Sequence, residues 1–219
     1  MPDRTTGSRT LILTGATGNL GSVFLRLVQA SYAQIVSFGR TSPQLPAPNA
    51  HFTLDLSSKT VESLTLTELE SSQLDVALIA GVDDRSSLAT LGQDAAEHCI
   101  RVNCTSQMSL LKRLLAIDDS LRCVYISTSL VVERGPNSGA YTASKACAES
   151  YLQSYQEEFP RASFVSIRAP YLGVDMGTLD AGNQLPKLVG DSSYLSATSR
   201  TLASSFGRRG VVSFQEGVR

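Results

Sequence analysis

The run Thr14-Gly15-Ala16-Thr17-Gly18-Asn19-Leu20-Gly21 constrains the fold of this chain more than any other stretch. It follows a short β-branched and leucine segment, Thr10 to Thr14, and opens a segment from Leu20 to Ala30 whose apolar residues recur at helical spacing. Strand, tight turn and helix are thus written between Thr10 and Ala30 around three glycines at G-x-x-G-x-x-G spacing. Gly15 permits the turn, Gly18 lets backbone approach a ligand without a Cβ in the way, and Gly21 lets the helix lie against the strand. With Thr17, Asn19 and Leu20 they form a cradle whose helix N-terminus offers unpaired N–H groups and partial positive charge, suited to a pyrophosphate.

The rest of the chain repeats the rhythm. Strands are expected at Ile35 to Phe38, Phe52 to Leu54, Asp75 to Ala80, Cys123 to Ser127, Phe164 to Arg168 and Val211 to Phe214. A weaker helix is expected over Thr60 to Glu70, with long ones over Gln93 to Ala116 and Tyr141 to Phe159. DVALIA, from Asp75, is apolar on both alternating faces, as in a parallel strand covered on both sides. The expectation is an α/β fold in one domain spanning 1–219, with a doubly wound, mostly parallel seven-stranded sheet and ligands beyond the carboxyl ends of its strands.

Bulk properties exclude several partners. The formal net charge of the 219 residues is -1, with both signs scattered, so no concentrated cationic surface invites nucleic acid. No apolar run approaches the ~20 residues that span a bilayer, and Met1 to Arg9 lacks a signal-peptide core, so a cytoplasmic protein is expected. Cys99, Cys104, Cys123 and Cys147 have no C-x-x-C spacing and sit in apolar-periodic segments, which reads as buried free thiols without zinc or disulfides. The end of the second strand, Phe38-Gly39-Arg40-Thr41-Ser42, carries no acid for ribose hydroxyls. It offers a guanidinium and two hydroxyls, groups suited to a 2′-phosphate, and so predicts NADP(H) in preference to NAD(H).

A second constellation is Tyr141-Thr142-Ala143-Ser144-Lys145. Residues four apart share a helix face, so phenol and ammonium project into one space, where the ammonium would favour phenolate and lower the tyrosine pKa from about 10. Thirteen residues before Tyr141 the fifth strand ends in Ser127-Thr128-Ser129, whose hydroxyls could meet the phenol or simply satisfy strand-end backbone.

Together these motifs resemble the short-chain dehydrogenase/reductase family, with its Rossmann fold, over nearly the whole chain. The glycine spacing is similar to that of its extended and atypical branches. Asp55-Leu56 resembles the adenine-contacting pair, Ala80-Gly81 stands where the family has N-N-A-G, and Asn103 resembles the helical asparagine that anchors a proton-relay water and Lys145. Ala169 to Gly177 resembles the stretch flanking the nicotinamide, with Pro170 matching, Tyr171 replacing a glycine and Val174 a threonine. Backbone from Leu172 to Val174, or Thr178, would make up that contact. The stretch from Gly210 to Gly217 resembles the family's final strand.

The resemblance implies Tyr141 as proton donor to a carbonyl oxygen held by Thr128, or by its neighbour Ser129, while NADPH reduces the carbon. Lys145 would bind the nicotinamide ribose, and Asn103 would complete the relay. It also implies pairing through the long helices as a homodimer or homotetramer. Asp55 could instead merely cap the next segment. Three classes follow: a reductase or dehydrogenase of a small carbonyl or alcohol, a sugar-nucleotide-type epimerase or dehydratase, and a cofactor-binding redox sensor without turnover. The first has the complete Tyr141/Lys145 pair; the short C-terminal region leaves little room for the second's nucleotide-sugar domain.

Overall fold

The computed structural model of the chain describes residues 9–44, 47–58, 60–66, 69, 73–133, 135–169 and 192–213. Seven strands form one parallel sheet. These are β1 (Thr10–Thr14), β2 (Gln34–Gly39), β3 (Ala50–Thr53), β4 (Leu74–Leu78), β5 (Arg122–Thr128), β6 (Ser163–Ala169) and β7 (Gly210–Ser213). Their spatial order is β3-β2-β1-β4-β5-β6-β7, with every pairing parallel. The order reverses between β1 and β4, so a crevice opens beyond their carboxyl ends, where doubly wound sheets hold ligands. The expected strands all exist, displaced by a residue or two at their ends.

Six α-helices accompany the sheet among the described residues. They are α1 (Asn19–Val28), α2 (Gln93–Ile100), α3 (Ser106–Leu115), α4 (Leu130–Glu133), α5 (Gly139–Glu158) and α6 (Ser192–Ser205). Strand alternation divides the core in two. Ile12, Val76, Leu78 and Tyr125 face Met108, Leu111 and Leu114 of α3 and Leu152 of α5. Leu11, Leu13, Ala77, Val124 and Val165 face Phe24 and Leu25 of α1 and Leu202 of α6. Each such large side chain, fully withdrawn from water, contributes about 1.5–3 kcal/mol before its entropy cost.

Two expectations are corrected. Thr60–Ser63 forms a single 3₁₀ turn rather than the start of a helix, and 64–66 continue without helix. The long helix over Gln93 to Ala116 is interrupted, because Arg101–Thr105 makes a π turn between α2 and α3. A third element, α6, carried no sequence signal: its SSYLSATSRTLASS is dominated by small hydroxyl residues.

At the amino edge of the sheet, away from the crevice, Asp75 is wholly buried. Its carboxylate accepts from Arg9 Nε (2.7 Å), Arg122 Nε (2.7 Å) and Nη2 (2.6 Å), and from the Tyr32 hydroxyl (2.7 Å). Such a charge is tolerated because every oxygen is paired.

Candidate active site

The glycine turn packs as its spacing requires. Gly15 has φ +73, open to glycine, and a Cβ there would lie 2.6 Å from the Ala80 nitrogen. A Cβ on Gly21 would lie 2.0 Å from the Gly15 oxygen, so helix and turn touch backbone to backbone. Gly18 differs: its nearest neighbour to an added Cβ is the Gly15 oxygen at 3.4 Å, an ordinary contact. Packing within the fold therefore does not by itself demand glycine at 18. No side chain caps α1 and no acid occupies its first turn, so its N–H groups face the crevice rim without a competing anion. Thr17 and Asn19 are exposed beside them, while Leu20 is buried beneath. These features fit a dinucleotide pyrophosphate.

From the turn, contacts run across the sheet. The Thr14 hydroxyl accepts from the Ile79 and Ala80 amides (3.1 and 3.2 Å) and donates to Gln107 Oε1 (3.3 Å). Gln107, wholly buried on α3, donates back to the Ala80 carbonyl at 2.8 Å. It makes a cross-strand tie at the position where the two asparagines of N-N-A-G are missing. Asn103 in the π turn grips Val82 from both sides, accepting from its N–H and donating to its carbonyl, each at 2.8 Å, and also donates to Ser144 Oγ (2.9 Å). Its own carbonyl accepts from the Tyr125 hydroxyl at 2.9 Å. An added Cβ on Gly81 would lie 3.0 Å from Asn103 Oδ1 and 3.2 Å from Lys145 Nζ, so the turn after β4 closes directly on both.

Lys145 is buried, and its ammonium donates to the Ile126 carbonyl (2.8 Å) while lying 4.8 Å from the Tyr125 ring centroid and 5.9 Å from that of Tyr141. Burial, chiefly, lowers its pKa from 10.5 to about 8, against an upward pull from Asp83. Tyr141 behaves contrary to the sequence expectation. Burial and then Asp83 push its phenol up to about 12, while the hydrogen bond with the Thr128 hydroxyl and the Arg85 guanidinium pull down. The phenol is therefore a weaker acid than that of a free tyrosine, because desolvation of phenolate and the Asp83 charge outweigh the pull of Thr128 and Arg85.

The hydroxyls at the end of β5 separate by partner. Ser127 donates to Glu149 Oε1 (2.5 Å), which Arg168 also binds, and Ser129 donates to Glu133 (2.8 Å). Thr128 meets Tyr141. Arg40 is exposed at the end of β2, and its charge acts on Asp55 at the end of β3. Asp55 accepts from the Ser57 amide and hydroxyl (2.9 and 2.7 Å), the local capping geometry, while Leu56 is buried and its carbonyl accepts from Ser106. Pro170, Tyr171, Leu172, Val174 and Thr178 lie outside the described residues.

Sequence reasoning missed Asp83 and Arg85. Asp83 Oδ2 pairs with Arg85 Nε at 2.6 Å, and the Arg85 guanidinium carbon lies 5.9 Å from the Tyr141 ring centroid. Their loop also buttresses α5, where an added Cβ on Gly139 would lie 2.4 Å from Leu88. The acid-acid-arginine run Asp83-Asp84-Arg85, one residue after Ala80-Gly81, was the available signal.

A family model for NAD-dependent epimerases and dehydratases matches residues 11–173. The chain belongs to the NAD-dependent epimerase/dehydratase family. Its matched span carries the glycine turn, Asn103, Thr128, Tyr141 and Lys145. Among solved structures, the short-chain dehydrogenase from Shigella flexneri is similar at 18% identity and TM-score 0.79, covering 100% of this chain and 96% of that one. A 3-oxoacyl-(acyl-carrier-protein) reductase from Agrobacterium tumefaciens with NADP bound gives 15% and 0.75, covering 98% and 96%. An alcohol dehydrogenase from the archaeon Thermococcus sibiricus, complexed with 5-hydroxy-NADP, gives 18% and 0.74, covering 96% and 99%. The Rossmann fold of short-chain dehydrogenases is therefore this chain's fold. A search of curated proteins found no match. No described helix is long and apolar enough to cross a membrane, and the described residues hold no cluster of metal-ligating side chains.

Proposed function

We propose that this protein is an NADP(H)-dependent oxidoreductase that reduces a carbonyl, or oxidises the corresponding alcohol, of a small molecule. One observation carries the reading: the turn after β4 closes on Gly15 at Ala80 and on Asn103 and Lys145 at Gly81, with Lys145 in turn 5.9 Å from the ring of Tyr141, whose hydroxyl meets Thr128. Bound across that crevice, the dinucleotide supplies two-electron transfer at its nicotinamide ring.

The chain's own residues supply the rest. Gly15, Gly18 and Gly21, with Thr17, Asn19 and Leu20, hold the pyrophosphate at the start of α1, and Ala80, Gly81, Asp55 and Leu56 line the remainder of the cofactor's path. Tyr141, protonated at neutral pH, is poised as acid in the reductive direction. Thr128 orients the substrate oxygen against that proton. Lys145 holds the nicotinamide ribose, and Asn103 keeps the turn after β4 in place through Val82 and Ser144. Arg40, exposed where the adenosine ribose ends, favours a 2′-phosphate. The exposed Ile100 and Tyr151 on α2 and α5 suit pairing as a homodimer or homotetramer.

Incubation with NADPH and a carbonyl panel, followed by nicotinamide absorbance, tests the activity. Net oxidation is expected; Tyr141→Phe should abolish it with NADPH binding retained, and full turnover by that variant would overturn the mechanism. KM for NADPH should lie below that for NADH and rise in Arg40→Ala; a clear preference for NADH would overturn the cofactor choice. The family match favours a second reading, epimerisation or dehydration, in which substrate is transformed without net change in absorbance.

A further inference from the structure

Two cysteines that sequence spacing leaves unrelated meet beside the site. Cys104 closes the π turn next to Asn103, and Cys147 lies on α5 two residues beyond Lys145. They are 43 residues apart, yet Cys104 donates its S–H to Cys147 with the sulfurs 3.1 Å apart. A disulfide needs about 2.05 Å, so the sulfurs must close by roughly 1 Å. Cys104 is fully buried, whereas Cys147 is half-buried and gives solutes an approach. Cys99 and Cys123 are buried elsewhere and have no such neighbour among the described residues.

We propose that Cys104 and Cys147 are a redox modification site, joined by a reversible intrachain disulfide when the protein meets a peroxide. The Cys147 thiolate attacks one peroxide oxygen, the O–O bond breaks, and a sulfenic acid and one water result. Cys104 then attacks the Cys147 sulfur, the S–S bond forms, and hydroxide leaves to be protonated as a second water. Two thiols are oxidised by two electrons and one peroxide is reduced. The order follows from environment: burial, then the bond to Cys147, pushes the Cys104 thiol up, so it is the resolving partner. The link fastens the π turn to α5 between Asn103 and Lys145, the two residues that close on Gly81. It rests on the sulfur geometry alone and is independent of the proposed activity.

The test is treatment of the purified full chain with stoichiometric hydrogen peroxide, then thiol titration in denaturant and non-reducing peptide mapping. The expected result is loss of two of the four thiols, a cross-linked peptide pair carrying Cys104 and Cys147, and recovery of all four with dithiothreitol. Cys147→Ser should yield no intrachain cross-link at the same dose, and Cys99→Ser should cross-link as the wild type does. Four surviving thiols, sulfinic acid at Cys147 without a cross-link, or a cross-link through Cys99 or Cys123 would overturn the proposal.

Discussion

Lys145 makes the protein's stability depend on pH in a calculable way. Its pKa falls from 10.5 in the open chain to about 8 in the fold, chiefly because burial strips water from the ammonium. Each pH unit of difference is worth about 1.4 kcal/mol, so below pH 8 the charged side chain costs the fold about 3 kcal/mol. That is a large share of the roughly 5–15 kcal/mol by which domains are stable. Between the two pKa values the unfolded chain binds more protons, so unfolding free energy rises with pH through that window. By this arithmetic about 2 of the 3 kcal/mol return between pH 7 and 9.5. Lys145→Met keeps the length, loses the charge and leaves the Ile126 carbonyl without its donor, a penalty that does not vary with pH. Urea unfolding of both proteins isolates the lysine: wild type minus variant should climb by about 2 kcal/mol from pH 7 to 9.5. A flat difference, or one that falls, would refute the claim that this ammonium is held out of water.

Two further changes probe the scaffold. Gly21→Ala puts a Cβ 2.0 Å from the Gly15 oxygen. Forcing α1 off the turn should cost about 1–3 kcal/mol in spite of alanine's better helix propensity, read as a lower urea midpoint, and should weaken NADPH binding. Asp75→Ala leaves Arg9 and Arg122, with side chains only 11% and 18% exposed, facing a void. Removing one partner of such a pair costs about 3–5 kcal/mol, so calorimetry should find the melting temperature lower by roughly 10 °C, and an unchanged one would mean the cluster is solvated.

Much of this architecture was legible because its signals are local. A strand, three spaced glycines and an amphipathic helix require only the periodicity of neighbouring residues, and the glycines at 15 and 21 proved indispensable by contact. Tyr141 and Lys145 were legible for the same reason, being four apart on α5. What the sequence hid is non-local or subtle. The π turn at Arg101–Thr105 costs one hydrogen-bond shift and leaves apolar spacing almost intact. Helix α6 shares a core with α1 through Leu202, and Thr198 and Ser199 are as fully buried as that leucine, so small polar side chains occupy interior positions where an apolar stripe would be sought. The ties of Gln107 and Asn103 to backbone after β4 join segments more than twenty residues apart. The Tyr141 pKa could not be read either, because its direction depends on burial and on the charge of Asp83, 58 positions away in sequence.

The π turn bears on which changes in chain length this segment can absorb. An α-helix turns about 100° per residue, and the wider turn at Arg101–Thr105 accommodates one residue more than a regular rod would. Excising one position there would heal the rod into an unbroken helix, with the turns on either side still in phase but without the bulge that carries Asn103. Cys99 and Ile100 would keep their faces, while Asn103 would lose its hold on Val82. Elsewhere on the surface a missing amino acid is absorbed by a loop; here the number of residues decides whether an amide side chain reaches the turn it holds.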